Sequence, residues 1–449
     1  MSNYPEDQQE SMENEHLEEE FISNQEVDEE LLIDDGDNDG DIPVEDDDDE
    51  YDNDQVDGEL DNGANGADGG EGEETLEIDM SNNSMAYFDK HTDSVFTVFT
   101  HPTLPLVCSG GGDNTAFLWT SHSQPPKFAG SIAHSESVIG GGFTSDGQFL
   151  VTGDMNGQVL VQKSANGGAK WKESARLQEV EEVVWIKVHP TVPGVFAFGS
   201  TDGSVWCYQI DSQTGQLEQI MSQFVHQSDC TMGEFINIEQ GDSNLSLVTC
   251  SIDGTIIGWS CYTSQMLFKV SKSDVKGIEA PWVSLSIAPI SMTKNTPVIA
   301  CGANNGILAI INCNNGAVLQ LSTVIELKED QEEMDASIES IAWSPKLSLM
   351  AIGLVCGEVL LYDTLTWRVR HKFVLPDSIT KLQFDGPTGY TLIVASIDGK
   401  VYIFDARTGS EIHKCVGHNM GVLDFALIEN GKKLITAGDE GVSLIFQLP

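Results

Sequence analysis

The stretch Asp35–Asp46, DGDNDGDIPVED, has the residue types of a calcium-binding loop at nearly the right spacing. Acidic side chains occupy positions one, three and five, Gly40 occupies position six and Ile42 position eight, as in an EF-hand. An EF-hand also needs a glutamate at position twelve and a helix on each side. Here Asp46 stands at position twelve, and the following residues show no helical apolar period. We therefore interpret the stretch as part of a generally acidic segment and predict no metal site.

The charge of the chain is concentrated at its beginning. The 449 residues include 72 acidic and 22 basic side chains, for a net charge of −50, and residues 1–80 contain nearly half of the acids and no Lys or Arg. Such a segment cannot bury enough apolar surface to offset its conformational entropy. Residues 1–84 are therefore predicted to be a disordered acidic tail, and residues 85–449 the folded part. The negative charge disfavours direct nucleic-acid binding and favours basic protein partners.

The other chemical signals point away from catalysis and from membranes. The chain has no phosphate-binding loop with a Lys, no GxSxG and no paired CxxC motifs, so we expect no enzyme activity and no cofactor. Nine cysteines are scattered through apolar runs, a pattern typical of reduced, buried thiols. The first residues lack a signal peptide and no apolar run is long enough to span a bilayer, so we expect no membrane partner. Reduced thiols indicate a cytosolic or nuclear protein, and we predict a cytoplasmic one.

From about residue 85 the chain repeats one unit, in which apolar alternating runs flank a tight turn. Asp-Gly and Asn-Gly pairs supply the positive φ angles that a two-residue hairpin requires, and alternation places one face of each strand against a neighbour. The unit recurs eight times at intervals of about 42 to 52 residues, the repeat of a four-stranded propeller blade. The equivalent turn position is held by Asn114, Gly157, Gly203, Gly254, Gly306, Gly357, Gly399 and Gly441. The sequence therefore predicts an all-β, eight-bladed β-propeller.

The units resemble those of WD-repeat propellers. The family's His, Ser/Thr, Asp and Trp positions are matched in the first unit by His91, Ser109, Asp113 and Trp119. The resemblance implies that these residues form a buried hydrogen-bond network, which is structural and not catalytic. The family's His recurs in units two, four and eight as His134, His226 and His418. Elsewhere the match is lost, with Cys356 and Glu440 at the Asp position and Phe404 and Phe446 at the Trp position.

The end of the chain predicts how the ring closes. Pro449 follows the third strand of unit eight, so a four-stranded blade would lack its outermost strand and expose a sheet edge. Before unit one, the apolar run from Met85 to Phe88 belongs to no unit. We expect residues 85–90 to pair with the last blade and close the ring. A closed ring with charged loops gives no reason to expect an oligomer, so we expect a monomer.

The connections that enter the blades are acidic in seven of the eight units, and the resemblance places them on the face where WD propellers usually bind peptides. We predict a client-binding rim composed of Asp93, Glu136, Glu179, Glu181, Glu182, Asp229, Glu279, Trp282, Glu332, Glu333, Asp335, Glu339 and Asp377. Its carboxylates would pair with the Arg and Lys side chains of a basic, extended segment and would repel nucleic acid. Trp282 would stack on an Arg, although the sequence equally allows it a position in the core.

Further motifs narrow the resemblance. An acidic tail and eight blades with TGDMNG (152–157), DARTG (405–409) and VLDFAL (422–427) are similar to one branch of WD-repeat proteins. That branch holds angio-associated migratory cell protein and its fungal counterpart, a chaperone dedicated to large-subunit ribosomal protein L-ten, universally named L-sixteen. The resemblance implies capture of the basic N-terminal segment of that ribosomal protein during its synthesis, through an acidic propeller face, and its delivery for 60S subunit assembly.

Two other binding functions remain open at this level. A histone-binding propeller also pairs acidic loops with basic tails, but such proteins usually carry a long N-terminal helix, and residues 60–84 are too rich in Gly for one. A substrate receptor of a cullin ubiquitin ligase is the other alternative, because FDAR (Phe404–Arg407) resembles a WDxR motif. Asp405 and Arg407 would equally suit an ordinary pair at the end of a blade.

Overall fold

The computed structural model describes residues 81–327 and 331–449, and the predicted acidic tail up to residue 80 lies outside these described residues. The described residues belong to one compact unit, and their strands form eight antiparallel sheets of four strands each. The prediction of an all-β fold with eight four-stranded blades is confirmed.

The first half of the ring contains a short leading strand and four blades. The leading strand is β1 (Ala86–Phe88). Blade one contains β2 (Val95–Thr100), β3 (Leu106–Gly111), β4 (Thr115–Thr120) and β5 (Phe128–Ala133). Blade two contains β6 (Val138–Phe143), β7 (Phe149–Asp154), β8 (Gln158–Ala165) and β9 (Lys170–Gln178). Blade three contains β10 (Val183–Val188), β11 (Val195–Ser200), β12 (Val205–Ile210) and β13 (Leu217–Gln223). Blade four contains β14 (Cys230–Ile236), β15 (Ser246–Ser251), β16 (Ile256–Ser260) and β17 (Gln265–Val270).

The second half repeats the same pattern. Blade five contains β18 (Trp282–Ile287), β19 (Val298–Ala303), β20 (Ile307–Asn312) and β21 (Ala317–Thr323). Blade six contains β22 (Ile338–Trp343), β23 (Leu349–Leu354), β24 (Glu358–Asp363) and β25 (Arg368–Val374). Blade seven contains β26 (Ile379–Phe384), β27 (Thr391–Ser396), β28 (Val401–Asp405) and β29 (Ser410–Cys415). Blade eight contains β30 (Val422–Ile428), β31 (Lys433–Gly438) and β32 (Ser443–Gln447).

Helical structure in the described part is limited to four short 3-10 segments in the connections. These are Asn166–Gly168, Ile238–Asn244, Glu333–Ala336 and Glu429–Gly431. Within residues 81–327 and 331–449, no helix has the length and apolar character needed to cross a membrane.

The core lies between the blades. In six blades the second strand is buried along its whole length, as in Leu106–Gly111 and Phe149–Asp154, and in blades seven and eight all but its first residue is buried. Each face of this strand packs against a neighbouring blade. Its hairpin turn to the third strand needs a glycine-like conformation. At Gly157, φ is +78° and a Cβ would lie 1.9 Å from the carbonyl oxygen of Val180. Gly157 is therefore required both for the positive φ of the turn and because the turn packs closely against the Val180 carbonyl group.

The ring closes through the segment that precedes blade one. The leading strand β1 pairs antiparallel with β32, with Ala86 opposite Ile445, and supplies the fourth strand of blade eight. The Phe88 ring stacks on the Trp119 ring of blade one, with ring centroids 4.9 Å apart. Just before β1, the Asn83 side-chain amide donates to the carbonyl oxygen of Lys414 in β29 at 2.9 Å, which joins the segment to blade seven as well.

A carboxylate also ties three blades together at the innermost strands. Asp424 of β30 accepts hydrogen bonds from the Lys381 ammonium group of β26 at 2.5 Å and from the Val98 backbone N–H of β2 at 2.9 Å. A second pair, Lys187 and Glu234, joins blades three and four at 2.7 Å. Innermost strands of blades one, two, three, seven and eight line a cavity of about 390 Å³. Asp424, which lies in the VLDFAL motif of blade eight, thus links that blade to blade seven and to blade one.

Two substitutions in β1 test the closure. The Phe88 side chain is buried, whereas that of the adjacent Tyr87 is 58 % exposed. Phe88→Ala should lower the free energy of unfolding by about 3–5 kcal/mol, because it removes a buried aromatic ring from the contact between blades eight and one. Tyr87→Ala, on the same strand, should change it by about 0.5 kcal/mol or less. Urea denaturation of both variants measures the difference, and equal effects would contradict a closing role for β1.

Candidate protein-binding face

The strand order defines one face of the propeller. In a four-stranded antiparallel blade, the connection into the innermost strand and the turn between the second and third strands lie at the same end. A direct contact in blade one agrees, since His91, which precedes β2, lies 3.0 Å from Asp113 in the turn after β3. We call this end the upper face. It comprises the turns after each second strand and the connections 89–94, 134–137, 179–182, 224–229, 271–281, 331–337, 375–378 and 416–421.

The four residues matched to the WD network form one chain of hydrogen bonds. The His91 Nδ1–H donates to the Asp113 carboxylate at 3.0 Å, because a carboxylate can only accept, and Nε2 accepts from the Ser109 hydroxyl at 2.9 Å. The Trp119 indole N–H donates to the same hydroxyl oxygen at 3.1 Å. Burial lowers the pKa of His91, so the imidazole is held neutral. The chain anchors the entering connection to its blade.

Blade four contains a second complete network that the sequence motif also carried. His226 Nε2 lies 2.8 Å from the Thr249 hydroxyl, to which the Trp259 indole N–H donates at 2.9 Å. Nδ1 lies 2.7 Å from the Thr255 hydroxyl, which in turn donates to Asp253 at 2.6 Å. Burial lowers the pKa of His226 to about 4, against the opposing charge of Asp253. Thr249, Asp253, Thr255 and Trp259 all lie in the stretch VTCSIDGTIIGW (248–259), and His226 precedes it.

Two blades correct the sequence interpretation of the Asp position. In blade eight, Glu440 accepts a hydrogen bond from His418 at 2.5 Å, so the longer carboxylate restores the contact between the histidine and an acid, while Phe446 leaves this network without an indole N–H donor. In blade two, His134 contacts Asp154 at 3.3 Å, a residue at the end of β7 and not in the turn itself. Burial alone would raise the pKa of Asp154, but hydrogen bonds from His134 and Ser135 hold it below its usual value.

The predicted rim carboxylates lie in the connections of the upper face, except Glu339, which is the second residue of β22. Nine of their side chains are exposed, and those of Glu182, Asp229 and Asp335 are half-buried. Glu279 is neutralised by an ion pair with Lys272 of the same connection. Within residues 81–327 and 331–449, no other rim carboxylate has a Lys or Arg within ion-pair distance. The rim therefore retains a set of acidic groups without an internal counter-charge.

Trp282 does not belong to this surface, and its assignment to the rim is wrong. The side chain is completely buried in the core between blades four and five, and its indole N–H donates to the Gly254 carbonyl oxygen at 3.1 Å. It begins β18, where the side chain at the first strand position faces the neighbouring blade. The core position that the sequence equally allowed is the correct one.

The hairpin turns add carboxylates that the rim prediction omitted. Asp202, Asp398 and Asp439 lie in turns of the upper face, and none is fully buried. At the sequence level these residues are explained by the turns alone, because Asp is a common turn residue and Asp202 and Asp398 directly precede a Gly. The connections at the opposite end carry both signs of charge: acids such as Glu239 and Asp242 are accompanied by Lys127, Lys294, Lys346 and Lys432. Negative charge is therefore concentrated on the upper face.

The FDAR motif is engaged within its own blade, at the opposite end. Arg407 donates to both carboxylate oxygens of Asp405, at 3.1 and 2.7 Å, and its guanidinium lies over the Tyr390 ring at 4.4 Å. Hydrogen bonds from Arg407 lower the pKa of Asp405 to about 2. This is the ordinary blade-end pair that the sequence allowed. In the described part of the chain, no cluster of three His, Cys, Asp or Glu side chains is arranged to hold a metal ion.

The fold and the networks define a WD-repeat β-propeller, and a family model agrees: residues 82–120 match the WD domain, G-beta repeat. The chain is 65% identical over 388 residues to the ribosome assembly protein SQT1 of Saccharomyces cerevisiae, covering 84% of this chain and 89% of that protein. It therefore belongs to the family of this assembly protein, and the predicted resemblance is confirmed.

More distant relatives extend the family. Human angio-associated migratory cell protein is 26% identical over 373 residues, covering 81% of this chain and 80% of the relative. The crystal structure of Chaetomium thermophilum Sqt1 bound to the N-terminus of ribosomal protein L10 is 26% identical and superposes with a TM-score of 0.73. It covers 82% of this chain and 100% of that one.

The buried histidines make the stability of the propeller depend on pH. His226 and His189 each have a pKa lowered by burial to about 4, so protonation favours the unfolded chain, in which the pKa is near 6.5. Their contribution is fully present above pH 6.5 and should be lost as the pH falls towards 4. Each neutral histidine should add up to about 1.4 kcal/mol per pH unit to the loss.

Urea unfolding between pH 7 and pH 4 measures this dependence. His226→Asn should be less stable at pH 7, because it breaks the network, but its stability should decline less steeply with falling pH. His122→Asn, at an exposed position, controls for the substitution itself. Parallel pH profiles for the wild type and His226→Asn would show that folding does not lower the pKa of His226, and would contradict this assignment.

Proposed function

We propose that this protein is an assembly chaperone that binds the basic N-terminal segment of a newly made ribosomal protein of the L10 (universal L16) type on its upper face. It then delivers that protein for assembly of the large subunit. The observation that carries the proposal is the rim of exposed carboxylates, of which only Glu279 forms an ion pair with a Lys or Arg among the described residues. Membership of the family of a ribosome assembly protein and the structure of a relative bound to the L10 N-terminus support it.

The physical chemistry of the upper face suits capture followed by release. An exposed carboxylate that pairs with Arg or Lys contributes only about 0.2–1 kcal/mol, so strength comes from many such contacts acting together. Glu181 and Glu333 make no ion pair with any residue that the structure describes, so neither has to break one to bind a client. Ribosomal RNA has a denser negative charge and would compete for the same basic segment. We place this binding in the cytoplasm, where ribosomal proteins are synthesised, and assign the protein no catalytic role.

Charge reversal on the rim tests the proposal. Glu181 and Glu182 lie in the connection into blade three, and Glu333 lies in the short 3-10 segment before blade six. None of the three makes an ion pair within the described part of the chain. The triple variant Glu181→Lys, Glu182→Lys and Glu333→Lys should weaken binding of a labelled L10 N-terminal peptide by roughly 10- to 100-fold, because three attractions become repulsions. Fluorescence anisotropy at low and high salt measures the affinity, and salt should weaken the wild type most.

A matched control changes the same net charge at the opposite end of the propeller. Glu218→Lys, Glu239→Lys and Asp242→Lys replace exposed acids at the lower end of blades three and four. This variant should bind the peptide nearly as well as the wild type. If both triple variants lose affinity equally, the attraction comes from overall charge and the upper face is not the site. If neither loses affinity, the client binds elsewhere or not at all.

A further inference from the structure

The upper face also exposes apolar side chains among its carboxylates. Met155 is 43 % exposed, Ile252 is 36 % exposed and Met420 is 50 % exposed. Met334, 56 % exposed, stands between Glu333 and Asp335. None of these four is needed to fill the core, and each leaves apolar surface in water at a cost of about 25 cal/mol per Å².

Two of these side chains stand at one structurally equivalent position. The first residue after the second strand donates its backbone N–H to the connection that enters the same blade. Met155 donates to the Ser137 carbonyl oxygen at 3.0 Å, and Ile252 donates to that of Asp229 at 3.3 Å. Blades six and seven repeat this bond with the apolar residues Val355 and Ile397. Half of the blades therefore present an apolar side chain from a fixed backbone position.

Met420 occupies a second kind of position. Met420 lies two residues after His418, the network histidine of blade eight. The equivalent positions in the connections into blades one and two are held by Asp93 and Glu136. This is the one entering connection that the sequence showed to lack a carboxylate. The acidic rim is thus interrupted by a flexible, polarisable side chain, of the type that adapts to varied partners at binding surfaces.

The charge around these apolar side chains determines which kind of partner can bind to the upper face. A nucleic acid or an anionic membrane would be repelled by the carboxylates, whereas a basic peptide would be attracted. An extended peptide alternates its side chains, so one that carries apolar groups between its Arg and Lys residues can satisfy both kinds of surface. A peptide with charge alone would leave the apolar side chains in water.

We propose that Met155, Ile252 and Met420 bind apolar or aromatic side chains that are interspersed among the Arg and Lys residues of the client segment. This inference rests on the proposed function and specifies what distinguishes a client from other polycations. The carboxylates supply attraction that any basic segment shares, and the apolar contacts supply selectivity that salt does not screen.

Two synthetic peptides with equal numbers of Arg and Lys test the inference. In one, Ser separates the basic residues; in the other, Leu and Tyr replace some of the Ser. The wild type should bind the second peptide about tenfold more tightly, and this preference should persist at high salt. In the triple variant Met155→Gln, Ile252→Gln and Met420→Gln, the preference should fall below about twofold. All three positions are exposed, so the variant should fold, which thermal unfolding checks.

The matched control is Met266→Gln, Leu319→Gln and Val369→Gln, at comparably exposed positions on the outermost strands β17, β21 and β25. It should keep the tenfold preference. Equal affinity of the wild type for both peptides, or an unchanged preference in the upper-face variant, would overturn the inference while leaving electrostatic capture intact. Failure of the wild type to bind either peptide would count against the proposed function itself.

Discussion

Everything in this propeller depends on the antiparallel pairing of β1 with β32. The second strands of the blades are buried on both faces, and that burial exists only if each blade has a neighbour on each side. The last blade obtains its outermost strand from residues that precede the first blade. Phe88 and Asp424 then join this blade to the blades on either side of it. Closure is therefore both hydrogen-bonded and packed, and it removes the exposed edge that an incomplete sheet would leave.

A closed ring gives the upper face a rigid backbone. In blades one, two, four and eight, a buried histidine connects the entering segment to the strands or turn of its blade. These histidines and their partners would look catalytic in isolation, but they are engaged in structural hydrogen bonds. Exposed rim carboxylates such as Glu181 and Glu333 take no part in these four networks. Binding groups on such a scaffold keep their positions without a client, so little ordering entropy is lost when one binds. The same turns that fix the strands thus present the acidic and apolar side chains.

Acidic and apolar groups contribute differently to binding on this face. Unpaired carboxylates act at a distance and weaken with salt, which favours fast capture and displacement by a denser polyanion. Exposed methionines act only on contact and are indifferent to salt. A surface that combines the two can attract any basic segment yet retain one whose apolar side chains fit. Glu279 lies in a connection that enters a blade but is already paired with Lys272. An acidic residue in such a connection is therefore not by itself available to bind a client.

The sequence by itself determined the eight-fold repeat, the hairpin turns and the network of blade one, because strand alternation and positive-φ turns are local properties that each unit declares separately. Tertiary structure decided the properties that depend on neighbours. Trp282 lies in the core because its strand position faces the adjacent blade, Asp154 replaces the turn residue as partner of His134, and Glu440 reaches His418 with one more methylene. Which acids are free and which apolar side chains reach solvent likewise follow from packing between segments distant in the chain. Spacing along a strand fixes the direction of a side chain, but only the assembled ring determines what it meets.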